Sequence, residues 1–174
     1  MTIHSVHPFV PPEPERDPVR RFRGRLPAPV TVVAAGQGRE RAGLTVSSVV
    51  IVDGPQPRVV IFVDPDSDLG AAVEPQTALT VSLLVDGDQF LADAFAGLAP
   101  APGGLFGLGA WRDTSWGPVL CDRSWLGARV EHVRGLGYAM EAVALIEHVQ
   151  IHGDEGLVHL RGCLLYTSDA ADER

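Results

Sequence analysis

Glycine and proline cut this chain into apolar runs of four to eight residues, and that spacing constrains the fold more than any other feature. VTVVAA (30–35) ends at Gly36-Gln37-Gly38, LTVSS (44–48) follows, and GPQP precedes RVVIFVD (58–64). ALTVSLLV (78–85) repeats the pattern. Runs of this length, rich in β-branched residues and bounded by turn signals, are strands. Residues 49–52 read as a continuation of the second strand, and three more strands are expected over 125–133, 138–151 and 157–161. Helical spacing is confined to short pieces. Residues 17–26 carry Val19, Phe22 and Leu26 at helical intervals, 68–74 form a second piece, and DQFLADAF (88–95) a third. In that third piece Phe90, Leu91, Ala94 and Phe95 share a face, with Asp86 or Asp88 available as N-cap. Residues 100–109 form a loop. Strands do not alternate with helices, so the expectation is a mainly β fold, a closed barrel with short inserted helices, and not a parallel sheet.

At 174 residues and 45% apolar content the chain has the size of one globular domain. Its net charge of −8 argues against nucleic acid or an anionic membrane as partner. All 14 basic residues are Arg, and neither Lys nor Asn occurs, a bias of GC-rich coding that points to a bacterial source. Residues 1–18, with four prolines after residue 10, read as an extended arm without a signal-peptide pattern. No apolar run reaches membrane-spanning length. Cys121 and Cys163 form no metal or redox motif, which fits a reducing cytoplasm. The domain is expected over 19–162. From Cys163 the sequence changes abruptly to CLLYTSDAADER, which looks like a translated sequencing adapter; a genuine polar tail is the plainer alternative.

Several motifs carry no chemistry. DPDSDLG (64–70) lacks the sixth-position Gly and twelfth-position Glu of a calcium loop. His148 and His152 share a strand face but lie too far apart to chelate one ion, and solvated histidines are expected; no metal is assigned. GLFGLG (104–109) follows no strand, and Cys121 has no activating partner nearby, so a packed thiol is expected there. No catalytic side chain is assigned.

AGLTVSSVV (42–50) places three hydroxyls where a strand ends, a pattern that β-propensity alone explains but that also suits an anion held by successive N–H and O–H groups. Taken in order, LPAPVTVV (26–33), GLTVSSV (43–49), PRVVIFVD (57–64), LTVSLL with DQFLADAFAG (79–97), WRDTSWGPVL (111–120) and LVHLRG (157–162) resemble the flavin reductase-like family, whose fold is the FMN-binding split barrel. The resemblance implies that Thr45, Val46, Ser47 and Ser48 line the flavin, with hydroxyls near the ribityl phosphate. It implies that Ser67 is a second phosphate-side serine, with Asp64 beside it, and that Pro27, Ala28 and Pro29 border the ring system. Phe95 matches the Phe of the family's FAG, although packing alone would explain it. Two departures stand out. Pro65 and Leu69 replace an Arg and a Thr around Ser67, leaving Asp64, Asp66 and Asp68 to be neutralised by Arg41, Arg58 or the arginines of 20–25. GLGYA (135–139) stands where many members carry Gly-Asp-His.

The implied activity is NAD(P)H:flavin reduction, with NADH or NADPH as donor and FMN or FAD as acceptor. A cytoplasmic homodimer, with a possible partner monooxygenase, goes with that reading. Two alternatives stay open: a split-barrel enzyme using another donor or a deazaflavin, and a non-catalytic flavin-binding domain.

Overall fold

The computed structural model describes residues 17–153, 156–160 and 163–166. Most of the 1–18 arm and residues 167–174 of the expected tail lie outside them. In chain order the elements are α1 (Pro18–Arg23), β1 (Ala28–Pro29), β2 (Thr31–Ala35), β3 (Ala42–Val46), β4 (Val49–Val52), β5 (Arg58–Val63) and α2 (Asp68–Ala72). They continue with β6 (Ala78–Leu83), α3 (Gln89–Phe95), β7 (Trp111–Thr114), β8 (Gly117–Leu120), β9 (Trp125–Leu136), β10 (Ala139–Gln150), β11 (Leu157–Leu160) and β12 (Cys163–Tyr166).

Seven strands form one antiparallel sheet in the order β3-β2-β6-β9-β10-β5-β4. Its two edge strands, β3 and β4, are consecutive in the chain and separated by Ser47 and Ser48 alone. Two residues cannot cross the width of a flat seven-stranded sheet, since strands lie about 4.8 Å apart. The sheet therefore curls until its edges nearly meet, and the Phe62 N–H donates to the Ser48 carbonyl at 3.1 Å where the chain joins β4 to its neighbour β5. This is the split barrel expected from the sequence. Residues 42–52 are thus not one strand: the break at Ser47-Ser48 sends the chain from one edge to the other. Register shifts between Val143 and Ala144 and between Ile146 and His148 bend the long β9–β10 hairpin around the barrel.

Every residue of β2 is buried, and its two faces feed two cores. Val33 and Ala35 join Val59, Ile61, Leu79 and Val130 inside the barrel. Val30 and Val32 join Leu84, Leu91, Phe95, Leu120 and Leu157 in a second cluster beneath α3. A strand buried on both sides reads as a continuous apolar run, which is why VTVVAA shows no alternation. Two smaller sheets close the structure, β1-β11-β12 and the β7-β8 hairpin. In the first, Cys163–Tyr166 pairs antiparallel with β11.

Three sequence expectations change. Phe90 is 55% exposed, and the buried face of α3 is Leu91, Ala92, Ala94 and Phe95. The Asp88 carboxylate does not cap the helix amides. It accepts from the Val85 N–H at 3.0 Å and from Arg123 at 2.8 and 3.0 Å. His148 and His152 are half-buried and not solvated. His148 stacks on Trp116 with ring centroids 5.2 Å apart, and the His152 Nδ1 lies 2.9 Å from the Arg123 carbonyl. No helix among the described residues is long and apolar enough to cross a membrane.

Candidate active site

The seam between β3 and β4 opens on a cavity of about 830 Å³. Ser47, Ser48, Val49 and Val50 form one side of it, and Leu26, Pro27, Ala28 and Pro29 another. Phe62 and His159 contribute from β5 and β11, and Arg20 and Arg23 from α1. Pairing of β1 with β11 places Ala28 opposite His159 and fixes both at the wall. Helix α1 is positioned by Asp17, whose carboxylate accepts from the Val19 and Arg20 N–H groups at 2.8 and 3.2 Å, with Pro18 starting the helix. Asp17 also lines the cavity; one oxygen of its carboxylate accepts both amides, and it is the one carboxylate among the lining residues.

The charge at this cavity comes from Arg20 and Arg23. The other two candidate neutralisers are engaged elsewhere. Arg41 pairs with Asp113 at 2.7 Å, and Arg58 makes a two-point pair with Glu131 at 2.7 and 3.0 Å. The Arg58 guanidinium holds the Glu131 carboxyl below the usual carboxylate range through that hydrogen bond. Asp64 does not line the cavity either, so the acidic run 64–68 does not oppose an anion there.

Five of the ten residues singled out from the sequence therefore meet: Pro27, Ala28, Pro29, Ser47 and Ser48. Thr45 and Ser47 line a side cavity of about 230 Å³ that shares Ser47 and His159 with the larger one. The remaining four are occupied locally. Val46 is buried in the barrel core, and its carbonyl accepts from the Thr31 hydroxyl at 2.7 Å. Asp64 and Ser67 form a turn: the Ser67 hydroxyl donates to the Asp64 carbonyl at 2.6 Å and accepts from the Gly70 N–H at 3.0 Å, capping α2. Phe95 packs against Phe106 and Trp111 with ring centroids 5.3 and 5.4 Å away. The GLGYA turn between β9 and β10 lines neither cavity, and Tyr138 at its tip is 99% exposed.

Phe62, His159 and Val50 were not singled out as site residues. Their signal was topological, because they reach the seam only once β4, β5 and β11 are paired. The arginines of α1 were visible as a cluster, but not where the cluster would point.

The donor set suits a flavin. Leu26, Pro27, Val50 and Phe62 offer apolar surface for a ring system, while two guanidinium groups and two exposed serine hydroxyls suit a phosphate.

The flavin reductase like domain model matches residues 23–170. An FMN reductase (NADH), RutF, of Ancylobacter novellus is 31% identical over 110 residues, 63% of this chain and 60% of that protein. The matched part of the chain thus spans less than two thirds of that relative's length. The reductase component of 4-hydroxyphenylacetate 3-monooxygenase of Pseudomonas aeruginosa is 27% identical over 152 residues, 84% of this chain and 89% of that one. Among solved structures, the NADH:FAD oxidoreductase SgcE6 of Streptomyces globisporus, in complex with NAD and FAD fragments, superposes with a TM-score of 0.76. It is 24% identical, over 88% of this chain and 93% of that chain, a likeness of fold.

Proposed function

This chain belongs to the flavin reductase-like domain family, and we propose that it is an NAD(P)H:flavin oxidoreductase whose flavin lies in the cavity at the β3–β4 seam. The observation that carries the reading is the convergence of Arg20, Arg23, Ser47 and Ser48 with Pro27–Pro29 around one cavity. In this reading the two arginines and two serines hold the flavin's phosphate, and Leu26, Pro27, Val50 and Phe62 border the ring. Bound flavin supplies the two-electron acceptor for the hydride of a dihydronicotinamide. The protein's part is to orient both rings and exclude water, so no side-chain acid or base is required. Thr45 supports the wall through its hydroxyl, which donates to the Ala92 carbonyl at 2.6 Å. Val46 and Phe95 contribute as packing residues. Asp64 and Ser67 contribute by holding the turn into α2.

A second copy of the chain completes the site in this account. Val19 and Phe22 on α1, Leu26 after it, and Val50, Ile51 and Val52 on the edge strand β4 are all at least half exposed, and Leu26 and Val50 line the cavity. An apolar rim and an unpaired strand edge of this kind invite a self-complementary partner. The open mouth also suits release of reduced flavin to a partner monooxygenase, a role in keeping with the name of the Pseudomonas relative.

Anaerobic mixing of the protein with FMN and NADH or NADPH tests the proposal. The flavin's visible absorbance should bleach faster than in a protein-free control. No acceleration with either donor would remove the reductase reading and leave another donor, or binding without turnover.

A further inference from the structure

His159 is the one titratable side chain shared by the two cavities. It is half-buried on β11, and its ring makes no hydrogen bond or ion pair to the described residues. Cross-strand partners project from the same face of a sheet. The pairing of His159 with Ala28, itself at the wall, therefore turns the imidazole into the main cavity. Ser47 is the only other residue that the two cavities share, and at about 230 Å³ the side cavity is too small to hold the pair far apart. The imidazole thus stands beside the Ser47 hydroxyl, which is also without a partner among the described residues. A half-buried ring with two polar nitrogens and no partner calls for a ligand. The other charged groups at the two walls are Asp17, Arg20 and Arg23 from α1 and Asp93 from α3.

We propose that His159 is a further ligand of the flavin's phosphate, beside Ser47, and that its imidazole makes the preference for a phosphorylated flavin depend on pH. The proposal rests on the placement of the phosphate at Arg20, Arg23, Ser47 and Ser48, and adds to it a residue that sets flavin specificity. An imidazolium donates from both ring nitrogens, and its hydrogen bond to a phosphate is charge-assisted. A neutral imidazole keeps one donor and loses the charge. Histidine changes charge between about pH 5 and 8, whereas carboxyl and guanidinium groups titrate outside the range from about pH 6 to 9. An anion bound to an imidazole favours its charged form, so binding strengthens as pH falls through the histidine range. The second ionisation of the phosphate, at about pH 6, works the other way, since it adds negative charge as pH rises. A preference for FMN that falls with rising pH therefore identifies the imidazole.

The test is a titration of FMN and riboflavin into the protein at about pH 6.5 and about pH 8.5, read by flavin fluorescence with no nicotinamide present. The ratio of the two affinities isolates the phosphate, because ring and ribityl chain are common to both ligands. In wild-type protein the ratio should favour FMN at both pH values. It should be about fivefold larger at the lower one, part of the tenfold or more that a full charge-assisted hydrogen bond supplies. At the higher pH an imidazole is neutral, and the preference rests on Arg20 and Arg23. In His159→Phe and His159→Gln the ratio should no longer fall as pH rises, and the Gln variant, which keeps an N–H donor, should retain the larger preference of the two. A wild-type ratio that does not fall with rising pH, or a fall that survives both substitutions, overturns the assignment. Wild-type protein that binds FMN no better than riboflavin at either pH overturns the placement of the phosphate in this cavity, and the assignment with it.

Discussion

Gly43 shows how one residue ties the sheet to the layer outside it. A Cβ there would stand 2.7 Å from the Phe95 ring and 3.0 Å from Phe106. Both rings are held in the cluster with Trp111, whose indole N–H donates to the Leu108 carbonyl at 2.6 Å, so neither can withdraw freely. Gly43→Ala is expected to cost about 1–3 kcal/mol. Thermal unfolding would register this at about 2–4 °C per kcal/mol for a domain of this size. An unchanged melting temperature would mean that the aromatic cluster yields. At this scale the sequence was only partly legible. It marked Phe95 for its place in FAG and could not show that its ring fills the space above a glycine fifty-two positions earlier. Ser47 and Ser48, which line the cavity, were picked out by the family likeness of GLTVSSV, because β-propensity alone also explains serines at a strand end. Ser67 also reads as a strand-end serine, but its hydroxyl is spent on capping α2.

The β7–β8 hairpin is the element whose attachment depends most on charge. Its tip residue Trp116 lies over Gly127, where a Cβ would meet the indole at 2.5 Å, and its ring N–H donates to Glu147 at 2.6 Å. Arg129 binds the same carboxylate at 3.0 and 3.3 Å, and His148 stacks on the Trp116 ring. Arg129 first, and the Trp116 N–H second, hold the Glu147 carboxyl below the usual carboxylate range. A depressed carboxyl contributes stability above its unfolded pKa of about 4.3 and loses it as pH falls through the folded value. Tryptophan emission should therefore change in an acid step below the ordinary carboxylate range, and Glu147→Gln should abolish that step. An identical acid profile in the variant would show that Glu147 does not hold the hairpin. Local sequence predicts solvated histidines on this face because no local rule shows the hairpin folding over β9 and β10. WRDTSWGPVL was visible as a stretch with family likeness, but no local rule says which sheet its tryptophan covers.

At the scale of the whole molecule, the strand order explains why the site lies where it does. Apolar runs announced the strands, and the lack of βαβ alternation announced a barrel. The placement of β3 and β4 at opposite edges is non-local information that no run of residues carries. Curling brings those edges together, and the seam they leave is the cavity. In the proposed reading a second copy covers the exposed apolar residues of α1 and β4. Ile51→Glu, on an exposed strand outside both cavities, should hold the protein as a monomer in sedimentation and weaken FMN binding. A dimer that survives the substitution would place the interface elsewhere.

The central claim is that the seam cavity binds a flavin through its phosphate. It is tested most directly by titrating FMN and riboflavin, which differ only in that phosphate, into the wild-type protein and the Arg20→Ala/Arg23→Ala variant. Wild-type protein should bind FMN at least about tenfold more tightly than riboflavin, as expected for charge-assisted hydrogen bonds to a phosphate. In the variant that gap should close while riboflavin affinity stays the same. Equal affinities for the two flavins in the wild-type protein, or an FMN preference that survives loss of both arginines, would contradict it.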